Sequence, residues 1–116
     1  MTQIRLNKLQ CIVNDEVDED EVFLKYNDKK IWPADEAFIG IDNSETFELN
    51  VIVDHKTPNE QLVIELWDYD YLSSNDFLGT FEITLGRDNY GKFSTSMTLK
   101  EKRSTASYVL LWEIMG

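Results

Sequence analysis

The sequence contains few residues that support covalent or redox chemistry, and it contains no long apolar run. Cys11 is the only cysteine and His55 the only histidine among 116 residues. A lone cysteine cannot form an internal disulfide, which favours a reducing compartment. No stretch approaches the roughly 20 apolar residues of a membrane-spanning helix, and the first residues lack the basic leader and apolar run of a signal peptide. We therefore expect a soluble, cytoplasmic protein that can attach to a membrane only peripherally.

Positive charge is also scarce. Lysine and arginine number 11 against 22 aspartate and glutamate residues, which gives a formal net charge of −11. Such a surface repels phosphates, so nucleic acid is disfavoured as a partner. Acid at this density is typical of a solvated face, a cation site or a mimic of an anionic partner.

The acids are concentrated in two segments. Between Asp15 and Glu21 every residue except Val17 is acidic, and Asp68, Asp70 and Asp76 lie close together further along the chain. Like charges this close raise the free energy unless water or a cation screens them. The distribution therefore favours a cation site.

Apolar and polar residues alternate along most of the chain, which is the pattern of strands with one buried face. In the clearest run, Leu62, Ile64 and Leu66 share one face. Turn signals separate the runs, and no stretch has a convincing helical pattern. We predict an all-β, eight-stranded antiparallel β-sandwich. We expect one domain over residues 1–116, a length that can bury roughly two-thirds of the unfolded chain's surface.

Asp68 continues the inward series of Leu62, Ile64 and Leu66. A carboxylate would not stay ionised in an apolar core without a partner, so we expect this strand to reach the rim of the sandwich at Asp68. Asp68 and Asp70 would then point the same way, roughly 7 Å apart along the strand. Asp76 would return to the rim as the next strand begins.

The first acidic segment lies between two predicted strands, residues 4–13 and 22–26. If both acidic segments open at one end of the sandwich, at least five carboxylates converge there. Calcium takes six to eight oxygen ligands in flexible geometry, and the scarcity of histidine and cysteine favours oxygen ligands over a zinc or copper site. The helical calcium loop does not fit, because Leu72 and Gly79 occupy two of its ligand positions.

The run from Asp68 to Gly79 resembles the third calcium loop of a C2 domain, the calcium- and phospholipid-binding β-sandwich of protein kinase C and synaptotagmins. In that family the loop reads aspartate, any residue, aspartate, then a third aspartate six residues on and a strand containing a glycine. Asp68, Asp70, Asp76 and Gly79 match this spacing. Ser73 falls where the family often supplies a minor ligand.

The first calcium loop of the family supplies two acids six residues apart, the second opening a strand usually written Asp-Pro-Tyr-Val-Lys-Val. Here residues 21–26 align with that strand and Asp15 lies six residues upstream, while residues 44–49 resemble a family strand around Asn-Glu-Thr-Phe. Glu21 replaces the family's aspartate and Val22 its proline, which leaves Asp20 as an alternative ligand. The resemblance thus implies that calcium is bound by Asp15, Asp20 or Glu21, Asp68, Asp70 and Asp76.

Tyr71 and Leu72 lie at the tip of the same loop. In membrane-docking relatives, apolar residues at this place insert into lipid once calcium cancels the acidic field. The alternative is that both side chains fold back onto the domain. Lys25, Lys29 and Lys30 form a basic group too small to indicate a strong phosphoinositide site.

The sequence is compatible with three functions. The first is a calcium-binding module whose bound ions switch attachment to an anionic membrane or a protein partner. The second is an acidic protein-interaction or inhibitor domain in which calcium is only structural. The third is an enzyme that uses two carboxylates as acid and base. The sequence has no nucleophile elbow, no histidine–cysteine pairing and no phosphate loop, so we do not expect an enzyme.

Overall fold

The computed structural model describes residues 2–14, 19–56, 61–85, 91–100 and 104–115. Within these ranges the chain forms ten β-strands and no helix, and therefore no helix that could span a membrane. In chain order the strands are β1 Thr2–Val13, β2 Asp20–Tyr26, β3 Lys29–Trp32, β4 Ile39–Ile41, β5 Thr46–His55, β6 Leu62–Asp68, β7 Asp76–Ile83, β8 Lys92–Ser96, β9 Thr98–Leu99 and β10 Ser107–Ile114.

The strands form two antiparallel sheets. One has four strands in the order β5-β1-β10-β8, and the other has six, with β3-β2-β6-β7-β9 in order and β4 paired to β2. The core lies between the inner faces of the two sheets. The prediction of an all-β antiparallel sandwich is confirmed.

The alternation in the sequence corresponds to the two faces of each strand. Along β6, Leu62, Ile64 and Leu66 are buried, whereas Val63 and Trp67 on the other face are half-buried. The largest fully buried side chains come from both sheets, so that the two inner faces pack against each other. Burial of these apolar faces is the main driving force of the fold.

The described residues form ten strands where eight were predicted. β4 and β9 contain only three and two residues, and one predicted strand is divided into β8 and β9. The run from Phe93 to Leu99 alternates without a break, but β8 pairs with β10 in one sheet and β9 pairs with β7 in the other. The chain changes sheet at Met97, whose N–H donates to Tyr108 O over 2.9 Å. Period-two alternation continues through such a crossing and does not reveal it.

β2 begins earlier than predicted. We expected the strand to start at Val22, but it includes Asp20 and Glu21, which pair with Ile41 and Gly40 of β4. These two acids therefore alternate between the faces of a sheet and do not belong to a solvated loop.

Candidate functional site

Three neighbouring strands bring acids from both segments to one end of the six-stranded sheet. Val22 of β2 is opposite Asp68 of β6, and Asp68 is opposite Asp76 of β7. Because neighbouring strands are antiparallel, the start of β2, the end of β6 and the start of β7 share that end. We call this end, with Glu21, Asp68, Asp70 and Asp76, the acidic rim.

Two hydrogen bonds donated by main-chain N–H groups join the two segments at the acidic rim. The Glu21 N–H donates to Asp68 Oδ1 over 2.9 Å, and the Tyr69 N–H donates to Glu21 O over 2.7 Å. The Asp68 side chain is only 3% exposed. Donation from an N–H stabilises a carboxylate that burial would otherwise penalise, and it fixes the direction in which the carboxylate points.

Asp70 organises the loop between β6 and β7. Its Oδ1 accepts from the Leu72 N–H over 2.9 Å and its Oδ2 from the Ser73 hydroxyl over 2.7 Å. The Asp70 N–H in turn donates to Asn75 Oδ1 over 2.9 Å. The hydrogen bonds from Leu72 and Ser73 favour the charged form and lower the pKa of Asp70 below its ordinary value.

The rim offers carboxylate and main-chain carbonyl oxygens, the hard ligands that calcium prefers. In the part of the chain that the structure describes, no three side chains of His, Cys, Asp or Glu are already arranged to hold a metal ion. The Asp70 carboxylate accepts its hydrogen bonds from within its own loop. Asp15, like residues 16–18, lies outside the described residues.

The oxygen ligands at the acidic rim are therefore of the kind that calcium binds, although the described side chains do not already surround an ion. Asp76 is exposed and Glu21 is half-buried, so that solvent reaches both. The roles of the predicted metal ligands stay predictions.

Asp20 does not point to the rim. It is 0% exposed, and its Oδ2 accepts a hydrogen bond of 2.5 Å from the Tyr108 hydroxyl of β10. Burial and the neighbouring Asp20 carboxylate both raise the pKa of Tyr108. This placement favours Glu21 over Asp20 as the rim acid of β2.

A signal for the position of Asp20 was present in the sequence. Asp20, Val22 and Leu24 are spaced by two residues and face the core together. The run of acids from residue 15 to residue 21 obscures this alternation, because acids at such density are typical of a solvated segment.

An aromatic cluster lies beside the acidic rim. Phe38 and Tyr69 stack with ring centroids 5.2 Å apart, and Tyr71 meets both rings edge-on at 5.9 and 5.0 Å. Tyr71 nevertheless remains 69% exposed, and Leu72 is 97% exposed. Leu72 therefore does not fold back onto the domain, and Tyr71 does so only in part. Phe38 comes from the segment between β3 and β4, and no pattern in the sequence placed it there.

The outer face of the six-stranded sheet carries a second aromatic row. Trp67 stacks between Phe23 and Phe77, with centroids 6.3 and 5.1 Å away. Lys25 Nζ lies 4.6 Å from the centre of the Trp67 ring, and Lys100 Nζ lies 5.5 Å from that of Phe77. These lysines are held by cation–π contacts with rings that are distant in sequence, so no local pattern predicts this role.

A sequence model of the C2 domain matches residues 43–103, more than half of the chain. The matched part contains the run from Asp68 to Gly79 and excludes the first acidic segment. A search of curated proteins gives no significant match.

Solved C2 domain structures share the fold, and two of them serve as examples. One, a C2 domain, has a TM-score of 0.58 and 17% identity, with 98% of each chain covered. The other, a C2 domain of a plant extended synaptotagmin 1, has a TM-score of 0.54 and 10% identity, with 97% of this chain and 92% of that chain covered. At these identities the likeness extends to the fold and not to the site.

Proposed function

The chain belongs to the C2 domain family, and from this we propose that it is a calcium-binding module that attaches reversibly to an anionic membrane surface. C2 domains are typically non-enzymatic modules that bind calcium, phospholipid or protein. The observation that carries the proposal is the meeting of the two acidic segments at the rim, where the Glu21 N–H donates to Asp68.

The acidic rim contains carboxylate oxygens that could serve as calcium ligands for such a module. Asp68, Asp70 and Asp76 would hold calcium together with Glu21 and with Asp15 of the first segment. Without the ion, these carboxylates repel one another and any anionic surface. Bound calcium would supply positive charge that offsets them. Asp70 would have to exchange its hydrogen bonds to Leu72 and Ser73 for the ion.

The exposed tip supports a membrane surface as the partner. Leu72 is 97% exposed, and transfer of an apolar side chain out of water is favourable by about 1.5–3 kcal/mol. Tyr71 lies beside it with an apolar ring and a polar hydroxyl, the combination that suits a membrane interface. We propose that these two residues contact lipid and that the protein is cytoplasmic with peripheral membrane attachment.

Calorimetric titration with calcium tests the first half of the proposal. We expect wild-type protein to bind with a Kd of about 1 μM to 1 mM, the range of sensor and extracellular sites. Asp68→Asn keeps an oxygen that can accept from the Glu21 N–H but removes the charge, so affinity should fall at least about tenfold. Asp54→Asn is the matched control, since Asp54 accepts from Gln3 at the other end of the fold. No binding heat from wild type at millimolar calcium would reject the proposal.

Co-sedimentation with phosphatidylserine vesicles tests the second half. Wild type should pellet only with calcium, and Leu72→Ser should pellet less without a change in calcium affinity. Ile52→Ser is the control, because Ile52 is an exposed apolar residue of the other sheet. Calcium binding without pelleting at any calcium concentration would favour the alternative, an acidic protein-interaction domain in which calcium is structural.

A further inference from the structure

A buried polar connection links the acidic rim to the opposite sheet. The Tyr108 hydroxyl of β10 donates to Asp20 of β2. The next residue, Glu21, donates its N–H to Asp68 of β6 and accepts from the Tyr69 N–H. β10 belongs to the four-stranded sheet, whereas β2 and β6 belong to the six-stranded sheet. Two consecutive residues of β2 thus connect the Asp68 carboxylate to a side chain across the core.

We propose that Tyr108 and Asp20 are positioning residues for the acidic rim and that Asp20 is not itself a calcium ligand. The proposal rests on the proposed calcium function. Tyr108 fixes the end of β2 at Asp20, and the end of β2 fixes the Asp68 carboxylate. An Asp68 carboxylate held in this way would lose less freedom when it binds an ion, because its position is already fixed by the Glu21 N–H.

The chemistry of the pair supports positioning over simple stabilisation. A buried carboxylate has a large desolvation cost, and replacing a buried polar pair with apolar residues is often neutral for stability or favourable. The Cys11 thiol also interacts with the Tyr108 hydroxyl, so that the pair belongs to a small polar network inside an apolar core. The network lies at the end of the sandwich that carries the acidic rim.

The other end of the sandwich provides a matched control. Tyr26 Oη lies 3.0 Å from His55 Nδ1, which also joins β2 of one sheet to β5 of the other. Tyr26 is at the end of β2 that is remote from Asp20. Tyr26→Phe therefore removes the same chemical group from the same strand without touching the acidic rim.

Calcium titration of four variants tests the proposal. We expect Tyr108→Phe to weaken calcium binding about tenfold, because it removes a hydrogen bond to a charged group. Asp20→Asn keeps an acceptor for the Tyr108 hydroxyl and should bind within about threefold of wild type, whereas Asp68→Asn should not. Tyr26→Phe should bind calcium as wild type does. If Asp20→Asn loses as much affinity as Asp68→Asn, Asp20 is a ligand and the proposal is wrong.

A double variant separates positioning from stability. Tyr108→Phe with Asp20→Leu replaces the polar pair with an apolar pair of similar shape, so it should fold even if Tyr108→Phe alone does not. We expect it to bind calcium about tenfold more weakly than wild type. In the calcium-free protein, amide hydrogen exchange at Glu21 should be faster than in wild type and in Tyr26→Phe. Wild-type affinity and wild-type exchange in this variant would overturn the positioning role, whereas failure of wild type itself to bind calcium would overturn the proposed function.

Discussion

Asp70 lies in the loop between β6 and β7, where the Leu72 N–H and the Ser73 hydroxyl donate to its carboxylate. These hydrogen bonds lower the pKa of Asp70 in the folded protein. A pKa that is lower in the folded than in the unfolded protein stabilises the fold at pH values above the unfolded-state pKa of about 3.9. That contribution is lost as the pH falls through the folded-state pKa, so the loop is expected to loosen only below the unfolded-state value.

Ser73→Ala should raise the pKa of Asp70 toward its ordinary value in the calcium-free protein, because one of the two donors is removed. The measurement is an NMR titration of the Asp70 carboxyl carbon. Ser74→Ala is the control, because the Ser73 hydroxyl also donates to the main-chain oxygen of Ser74 and this substitution keeps that oxygen. An unchanged titration midpoint in Ser73→Ala would show that Ser73 does not stabilise the carboxylate.

At the scale of strands, the sequence was most informative where alternation and turn signals agree. β6 and β7 were predictable because apolar residues recur at every second position along each strand and a turn signal at residues 73–76 separates the two runs. The end of β6 at Asp68 was predictable for a physical reason as well. A carboxylate that continues an inward series must find a donor, and it finds one in the Glu21 N–H.

Features that depend on a partner across the core were not predictable in the same way. Asp20 is tolerated inside because Tyr108, 88 residues later in the chain, donates to it. Phe38 joins Tyr69 and Tyr71 through a segment with no alternation of its own. The crossing at Met97 leaves the alternation intact. In each case the deciding contact joins residues that are distant in sequence, so a local sequence pattern cannot predict it.

β10 allows a direct measurement of what each face of a strand contributes. Leu110 is fully buried between the sheets, whereas its neighbour Leu111 is half-buried on the outer face. Leu110→Ala should lower the free energy of unfolding by about 2–5 kcal/mol, because it removes buried methyl groups and leaves a cavity. Leu111→Ala should cost about 1 kcal/mol or less. Urea unfolding measures both, and equal losses would mean that the faces of β10 are wrongly assigned.

For the molecule as a whole, the dominant quantity is a net charge of −11. Self-repulsion at this charge destabilises the compact state. Salt screens it, since the Debye length is about 10 Å at 0.1 M ionic strength. Any cation should therefore stabilise the fold to some degree, and stabilisation by calcium is informative only when it exceeds that general effect.

Melting curves at equal ionic strength in NaCl, MgCl₂ and CaCl₂ separate the two effects. Sodium should raise Tm by screening, and calcium should raise it further, because an ion that binds only the folded state adds about 2.7 kcal/mol at 100 times its Kd. Magnesium should stabilise less than calcium, since it requires near-octahedral geometry and the loss of its bound water molecules costs more free energy. Asp68→Asn should reduce the additional rise with calcium and leave the rise with sodium unchanged. Equal Tm values in calcium and magnesium would mean that the acidic rim screens charge without selecting an ion.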